Sequence, residues 1–162
     1  PGFHGANRSA RPFTGDYAGD VLYAALKRHG LASGAYGRHA ADGFTLRDVR
    51  VTNAVRCVPP GNKPQADEVR TCGRFLQQEI AAMPHLTAIL ALGRTAHASL
   101  IRVLGGRQAV FGFAHGACHD IGGYRLYDSY HTSRYNLNTG RLSEAMFDAV
   151  VARFASQRCP DQ

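Results

Sequence analysis

The chain has 162 residues, a formal net charge of +7 and an isoelectric point of about 9.6. This length suffices for one α/β domain with a hydrophobic core. No apolar run is long enough to span a membrane and no cleavable signal is visible, so we expect no membrane partner. Arginine supplies most of the cations, which suits a polyanionic partner, although a genome rich in G and C produces the same bias.

The chain opens with a loop rich in glycine and arginine, over residues 1–16. In α/β proteins such a loop normally leaves the carboxyl end of a strand, so we expect the chain to belong to a longer protein. Residues 19–30 then predict an amphipathic helix that ends at Gly30. Its predicted buried face consists of Val21, Leu22, Ala25 and Leu26.

A strand is predicted over residues 46–57, after a loop rich in glycine and alanine, and residues 48–55 should form its buried part. A Pro-Pro turn at 58–64 leads into a helix over residues 65–83. The apolar stripe of this helix is formed by Val69, Cys72, Leu76 and Ile80.

The second half of the chain predicts the centre of a sheet. Residues 86–93 are continuously apolar, as expected for a central parallel strand that is covered on both faces. We predict a helix over 94–105, two strands around a histidine-rich turn within 109–130, and a final helix from Ser143. Alternating strands and helices predict a single α/β domain over 1–162, with three layers and a largely parallel sheet. The predicted inward residues of the two helices are Ala96, Leu100, Ile101 and Leu104, then Met146, Phe147, Val150, Val151 and Phe154.

Ligands of such folds bind beyond the carboxyl ends of the strands, and the opening loop, the turn after Asn53 and the loop after His131 meet there. The Asn53 amide can donate and accept hydrogen bonds at once, as reading the edge of a nucleobase requires. It can equally bond to local backbone at a strand end, which is the more common role of such an asparagine.

His131 leaves the last strand, and a neutral imidazole can stabilise negative charge on a leaving group. A partly buried histidine with satisfied hydrogen bonds is the alternative. The following loop mixes phosphate-type donors with apolar side chains, which is typical of a loop that enters a DNA groove and props out a base. A solvated helix-capping loop is the alternative. The predicted DNA-contacting residues are Ser133, Arg134, Tyr135, Asn136, Leu137, Asn138 and Arg141.

Cys57 and Cys72 flank the Pro-Pro turn, which can direct both thiolates toward one metal centre. Zinc and iron–sulfur sites need about four ligands, and the loop and tail positions of Cys118 and Cys159 fit such a site poorly. Two buried free thiols are the alternative, whereas disulfides are not expected in a basic chain that lacks a secretion signal.

Three motifs together resemble the uracil-DNA glycosylase superfamily, and most closely its family 5, the type B enzymes. The first motif is similar to PGFHGANRSARPFTGDYAGDVLYAAL, the second to VTNAVRCVPPGNKP with the later RTC, and the third to SYHTSRYNLNTGRLS. The resemblance covers most of the chain. It implies a three-layer α/β/α sandwich around a four-stranded, largely parallel sheet. The implied activity is hydrolysis of the N-glycosidic bond of uracil and other deaminated bases in DNA, so uracil-containing DNA is the expected partner.

The resemblance also implies roles for single residues. The base-binding residues would be Gly2, Phe3, Phe13 and Asn53, with Phe13 stacking on the flipped base and His131 facing it. Cys57 and Cys72 would provide two of the four ligands of a [4Fe-4S] cluster, and the other two are expected before Pro1.

Two residues of the first motif are candidates for activating water. Asn7 could orient the water and Asp16 could act as a base, although an aspartate in Thr-Gly-Asp is also a good helix N-cap. The third motif departs from the family pattern at Thr132, where proline is usual, and we expect threonine to relax the loop.

We expect a monomer that works in the cytoplasm of a bacterium or archaeon, at the nucleoid. Two other classes of protein share parts of the pattern. A non-catalytic nucleic-acid-binding module would bind DNA without forming abasic sites, and a structural metal-binding domain would show no preference for uracil.

Overall fold

The computed structural model describes residues 11–56, 58, 61 and 64–157. The first helix among these residues, α1, spans Tyr17–Arg28 and begins where the side chain of Asp16 accepts a hydrogen bond from the backbone N–H of Gly19, at 3.1 Å. This cap satisfies one of the donors that a helix leaves free at its start. The four residues predicted to form the inner face of α1 are all buried.

Four further helices follow: α2 (Ala66–Ala81), α3 (Arg94–Val103), α4 (Arg134–Asn138) and α5 (Glu144–Ala155). Most of these helices have a side-chain cap at the N-terminus. Gln65 and Glu68 form a capping box at α2, and Ser143 Oγ accepts a hydrogen bond from Met146 N at α5. The short α4 is an addition to the prediction, which had a loop there.

The main sheet of the described residues has the strand order β3 (Ala88–Leu92), β5 (Tyr124–Ser129), β4 (Cys118–Ile121). Strands β3 and β5 are parallel, and β4 is antiparallel to β5. A separate two-stranded antiparallel sheet pairs β1 (Ala32–Ser33) with β2 (Thr45–Leu46).

The predicted hairpin exists, but its turn was placed wrongly. Gly122 and Gly123, both with positive φ, connect β4 to β5, and this turn contains no histidine. His115 precedes β4 and His119 lies within it. Two consecutive residues with positive φ require glycine more than any other residue, which is why the chain reverses at this pair.

The strand predicted over residues 46–57 is wrong for the residues described: only Thr45–Leu46 is a strand, and residues 47–56 have no regular structure. Val49, Val51 and Leu90 of β3 line one cavity, and no strand pairing joins the two segments within the described residues. Arg50 and Arg56 instead attach this segment to α2 by ion pairs with Glu79, at 3.0 and 2.8 Å. The part of the sheet within the described residues has three strands, of which β3 and β5 form a parallel pair, in agreement with the predicted α/β fold.

Helices cover both faces of the sheet, as the α/β prediction required. Leu126 of β5 packs with Ile101 of α3, whereas the next residue, Tyr127, contacts Phe154 of α5. Successive strand residues point to opposite faces, so α2 and α3 lie on one side and α1 and α5 on the other. Met146 was predicted to be buried but is 38% exposed, because the inner face of α5 begins at its neighbour Phe147. None of the described helices is both long and apolar enough to cross a membrane.

Candidate active site

A cavity of about 430 Å³ is lined by the segment 49–55, by strand β3 and by apolar side chains of the helices, such as Leu22 of α1 and Leu76 of α2. Phe13 from the opening loop, Asn53 from the segment after β2 and His131 from the loop after β5 all line this cavity. These residues come from three distant parts of the sequence. The structure therefore brings together the three loops that the sequence predicted to meet at one edge of the sheet.

The rings of Phe13 and His131 are stacked, with centroids 5.5 Å apart and planes inclined by 24°. Phe13 has φ 54°, a left-handed conformation that a bulky residue adopts only when its surroundings hold it there. Its carbonyl oxygen accepts a hydrogen bond from Tyr36 Oη at 3.0 Å. The backbone of Phe13 is thus held in the one conformation that presents its ring to the cavity.

Arg11 anchors this part of the opening loop. Its guanidinium makes a bidentate ion pair with Asp42, at 2.9 and 2.7 Å, and lies over the rings of Tyr23, Tyr36 and Phe44. The hydrogen bonds from Arg11 hold the pKa of Asp42 well below its usual range. A charged pair surrounded by three rings fixes the chain two residues before Phe13.

His131 is partly buried, and this burial lowers the pKa of its imidazole, while the negative charge of Asp16 acts in the opposite direction. The ring is therefore neutral at neutral pH and has one N–H to donate. Asn136 Nδ2 donates a hydrogen bond to the backbone oxygen of His131 at 2.8 Å. This contact ties the position of His131 to α4.

Thr132 does not relax the loop in the way that the sequence suggested. Its side chain is fully buried, and its Oγ1 donates a hydrogen bond to the backbone oxygen of Ala18 in α1, at 3.1 Å. Proline restrains its own φ, whereas this threonine restrains the chain by an attachment to another element. The expected loss of rigidity is thus countered by a tertiary contact.

Helix α4 carries most of the residues predicted to bind DNA. The guanidinium of Arg134 lies over the ring of Tyr17, at 5.4 Å, and that of Arg141 lies over the ring of Tyr130, at 5.1 Å. Tyr135 is 71% exposed, whereas Leu137 is half-buried and packs against the core between α1 and α5. Of the two apolar side chains expected at the tip of this loop, only Tyr135 projects into solvent.

The other predicted residues differ in their surroundings. Ser133 Oγ caps α4 through Asn136 N, and Asn138 is exposed on the same helix. Asn53 lines the cavity and is partly exposed, and its role in reading a base stays a prediction. Asp16 caps α1 and its role as a base stays a prediction. The predictions for Gly2, Phe3, Asn7 and Cys57 lie outside the described residues.

Cys72 is the one predicted metal ligand that the structure describes. It is a buried free thiol on α2, whereas Cys118 is exposed on β4. A buried thiol directed inward from a helix fits one ligand of a cluster, and Cys72 and Cys118 are the two cysteines that the described residues include. The prediction missed a different group, formed by His97, His119 and Asp128, because these residues lie on three separate elements.

The geometry of the site and the comparison with known proteins agree on the class of protein. The chain belongs to the uracil-DNA glycosylase superfamily, whose family model matches residues 1–155.

Within this superfamily the chain is similar to type-5 uracil-DNA glycosylases. It is 44% identical to that of Thermus thermophilus over 152 residues, which are 93% of this chain and 69% of the relative. The identity to the type-5 enzyme of Pyrobaculum aerophilum is 40% over 156 residues, covering 96% of this chain and 68% of the relative. For that of Mycobacterium tuberculosis it is 43% over 153 residues, covering 93% of this chain and 57% of the relative.

Proposed function

We propose that this protein is a DNA repair glycosylase that hydrolyses the N-glycosidic bond of uracil in DNA and leaves an abasic site. Other deaminated bases belong to the same proposal, as do a monomeric state and a single domain over residues 1–162. The observation that carries the proposal is the convergence of Phe13, Asn53 and His131 on one cavity beside the arginine-bearing α4. Membership of the superfamily supports it.

DNA binding is assigned to the surface around α4. Arg134 and Arg141 each rest on an aromatic ring, which restrains the guanidinium and leaves its N–H groups to contact phosphates. The exposed Tyr135 is the side chain best placed to enter the base stack. The net charge of +7 adds a favourable field for a polyanion.

The flipped base would occupy the cavity. Phe13 supplies an aromatic face for stacking, and the Asn53 amide can match the donor and acceptor edge of uracil. Deaminated bases pair poorly with their partners, which lowers the cost of flipping them out. Phe13 and His131 both line the cavity, so a base bound there can contact both the phenyl ring and the imidazole.

The chemical step is assigned to His131. As the glycosidic bond breaks, the sugar becomes oxocarbenium-like and the base departs as an anion. A neutral imidazole donates a hydrogen bond to the developing charge. Water then adds to the sugar, with Asn7 or Asp16 as candidates to orient or activate it. Asp16 already accepts a hydrogen bond from Gly19 N, so its helix-capping role competes with a role as base.

A [4Fe-4S] cluster is the proposed cofactor, with Cys72 and Cys57 as two of its ligands. When bound, such a cluster would stabilise the fold by joining α2 to the turn that precedes it. No step of the hydrolysis depends on it in this proposal. The buried position of the Cys72 thiol supports the assignment.

A single-turnover assay on a duplex with one uracil tests the proposed function. We expect the wild-type protein to form abasic sites in this duplex and not in a matched duplex with thymine. His131→Ala should reduce the rate by at least about a hundredfold, because loss of a charge-stabilising donor has effects of this size. His85, which is exposed and does not line the cavity, gives the control variant His85→Ala.

Other outcomes would select another class of protein. Unchanged cleavage by His131→Ala would remove the catalytic assignment of this residue. DNA binding without any abasic-site formation would indicate a nucleic-acid-binding module. A protein that binds metal but neither binds DNA nor forms abasic sites would be a structural metal-binding domain.

A further inference from the structure

A buried carboxylate lies on the far side of the sheet from Tyr127. Asp128 on β5 is fully buried, and each of its oxygens contacts a different imidazole. Oδ1 lies 2.8 Å from Nδ1 of His97 on α3, and Oδ2 lies 3.0 Å from Nε2 of His119 on β4. A buried charge is costly without partners, so this arrangement of three elements around one carboxylate requires a physical explanation.

The hydrogen bond of the second ring nitrogen of His97 indicates which nitrogen of this ring carries hydrogen. Nε2 lies 2.8 Å from the backbone oxygen of Phe111, and a carbonyl can only accept, so Nε2 carries hydrogen. In neutral His97 the lone pair of Nδ1 would then point at the lone pairs of Asp128. Such a contact is repulsive unless a cation, either a proton or a metal ion, lies between the two atoms.

We propose that His97, His119 and Asp128 bind a divalent d-block cation of the Zn²⁺ type. Their ligand atoms lie within 4.8 Å of one another, and two imidazoles with one carboxylate form a donor set suited to zinc. Tetrahedral Zn²⁺ holds such atoms roughly 3.3 Å apart, so small side-chain movements suffice.

The surroundings of the three ligands agree with this assignment. A metal-bound histidine usually donates its other N–H to a carbonyl or carboxylate, as His97 does to Phe111. The side chain of His119 is 14% exposed, which provides a route for the ion. Three protein ligands leave a fourth position for water.

Such an ion would have a structural consequence for the active site. It would join α3, β4 and β5 close to the end of β5. His131 follows Asp128 by three residues, so the ion would lie near the start of the loop that carries His131. The site uses neither Cys57 nor Cys72, so it is independent of the proposed iron–sulfur cluster.

Competitive titration with Zn²⁺ tests the proposal on the full chain after treatment with a chelator. We expect the wild-type protein to bind one Zn²⁺ that His119→Gln binds at least about tenfold more weakly. The exposed His85 again provides a control, and His85→Gln should bind Zn²⁺ like the wild type. Circular dichroism establishes that the variants are folded.

NMR of the histidine ring nitrogens distinguishes a metal ion from a proton in the wild type, without any substitution. Binding should shift the Nδ1 signal of His97 and the Nε2 signal of His119, with a hydrogen retained on Nε2 of His97. If His97 keeps hydrogen on both nitrogens in excess Zn²⁺, the bridging cation is a proton and the proposal is wrong. Equal Zn²⁺ affinity of the wild type and a folded His119→Gln would also overturn it.

Discussion

Thr132 donates a hydrogen bond from its buried Oγ1 to the backbone oxygen of Ala18, over a distance of 3.1 Å and a separation of 114 residues. The contact joins the chain that follows His131 to the first turn of α1. Phe13 lies just before α1, so the same contact helps to hold the rings of Phe13 and His131 next to each other. A residue that departs from the family pattern thus has a structural function of its own.

Removal of this hydrogen bond should destabilise the protein without creating a cavity. Thr132→Val keeps the shape of the side chain but lacks the hydroxyl, and we expect a loss of about 1 kcal/mol in the free energy of unfolding. Urea denaturation measures the difference. Thr132→Ser retains the hydroxyl and loses only a methyl group. Equal stability of the valine variant and the wild type would show that the contact contributes nothing.

Asn136 should act as a positioning residue for His131. Its Nδ2 donates a hydrogen bond to the backbone oxygen of His131. Asn136→Ala removes this bond, so the imidazole should be misplaced and the single-turnover rate should fall by roughly ten- to a hundredfold. Affinity for uracil-containing DNA should change little. His85 is exposed and lies outside the lining of the cavity, so His85→Ala again serves as the control. A variant that loses affinity but keeps its rate would place Asn136 at the DNA contact instead.

The cleavage rate should depend on pH through His131. Burial lowers its pKa below the ordinary value of about 6.5, so the neutral imidazole persists into mildly acidic solution. We expect a constant single-turnover rate from pH 8 down to about 6.5 and a decline only below that. An NMR titration of the His131 ring should give the same midpoint. A decline centred above 6.5 would contradict the assignment.

The same pKa shift has a defined effect on stability. The unfolded chain takes up a proton at His131 near its ordinary pKa, before the folded protein does so. The contribution of neutral His131 to the free energy of unfolding is therefore fully present above about pH 6.5. It is lost as the pH falls toward the pKa of His131 in the folded protein.

The ion pair of Arg11 and Asp42 should stabilise the opening loop in a pH-dependent way. The pKa of Asp42 is lowered in the folded state, so its contribution is complete above its ordinary pKa of about 3.9 and is lost as the pH falls below that value. Asp42→Asn should destabilise the protein at pH 7, and the difference from the wild type should shrink toward pH 2. Thermal unfolding across this range measures it.

Asp67 provides the control for Asp42. It also pairs with an arginine, Arg70, but its side chain is 81% exposed, so Asp67→Asn should have almost no effect on stability. If the two variants behave alike, the rings around Arg11 do not strengthen the pair.

The sequence by itself determined the four longer helices and the edge of the sheet at which the candidate site lies. Helix α1 begins at the cap Asp16 and α5 begins at Ser143, and both bury the predicted apolar faces except for the exposed Met146 and the partly buried Phe154. Caps and 3.6-residue periodicity are local properties, so they can be recognised from neighbouring residues alone. The meeting of three loops at one edge of the sheet follows from the general form of α/β folds.

The tertiary structure decided what depends on partners distant along the chain. Residues 47–56 have strand-like composition but no ladder partner among the described residues, so propensity alone predicted a strand wrongly. The group of His97, His119 and Asp128 and the bond from Thr132 to Ala18 join segments 9 to 114 residues apart. Such contacts depend on how elements pack in three dimensions, and no local pattern in the sequence encodes them.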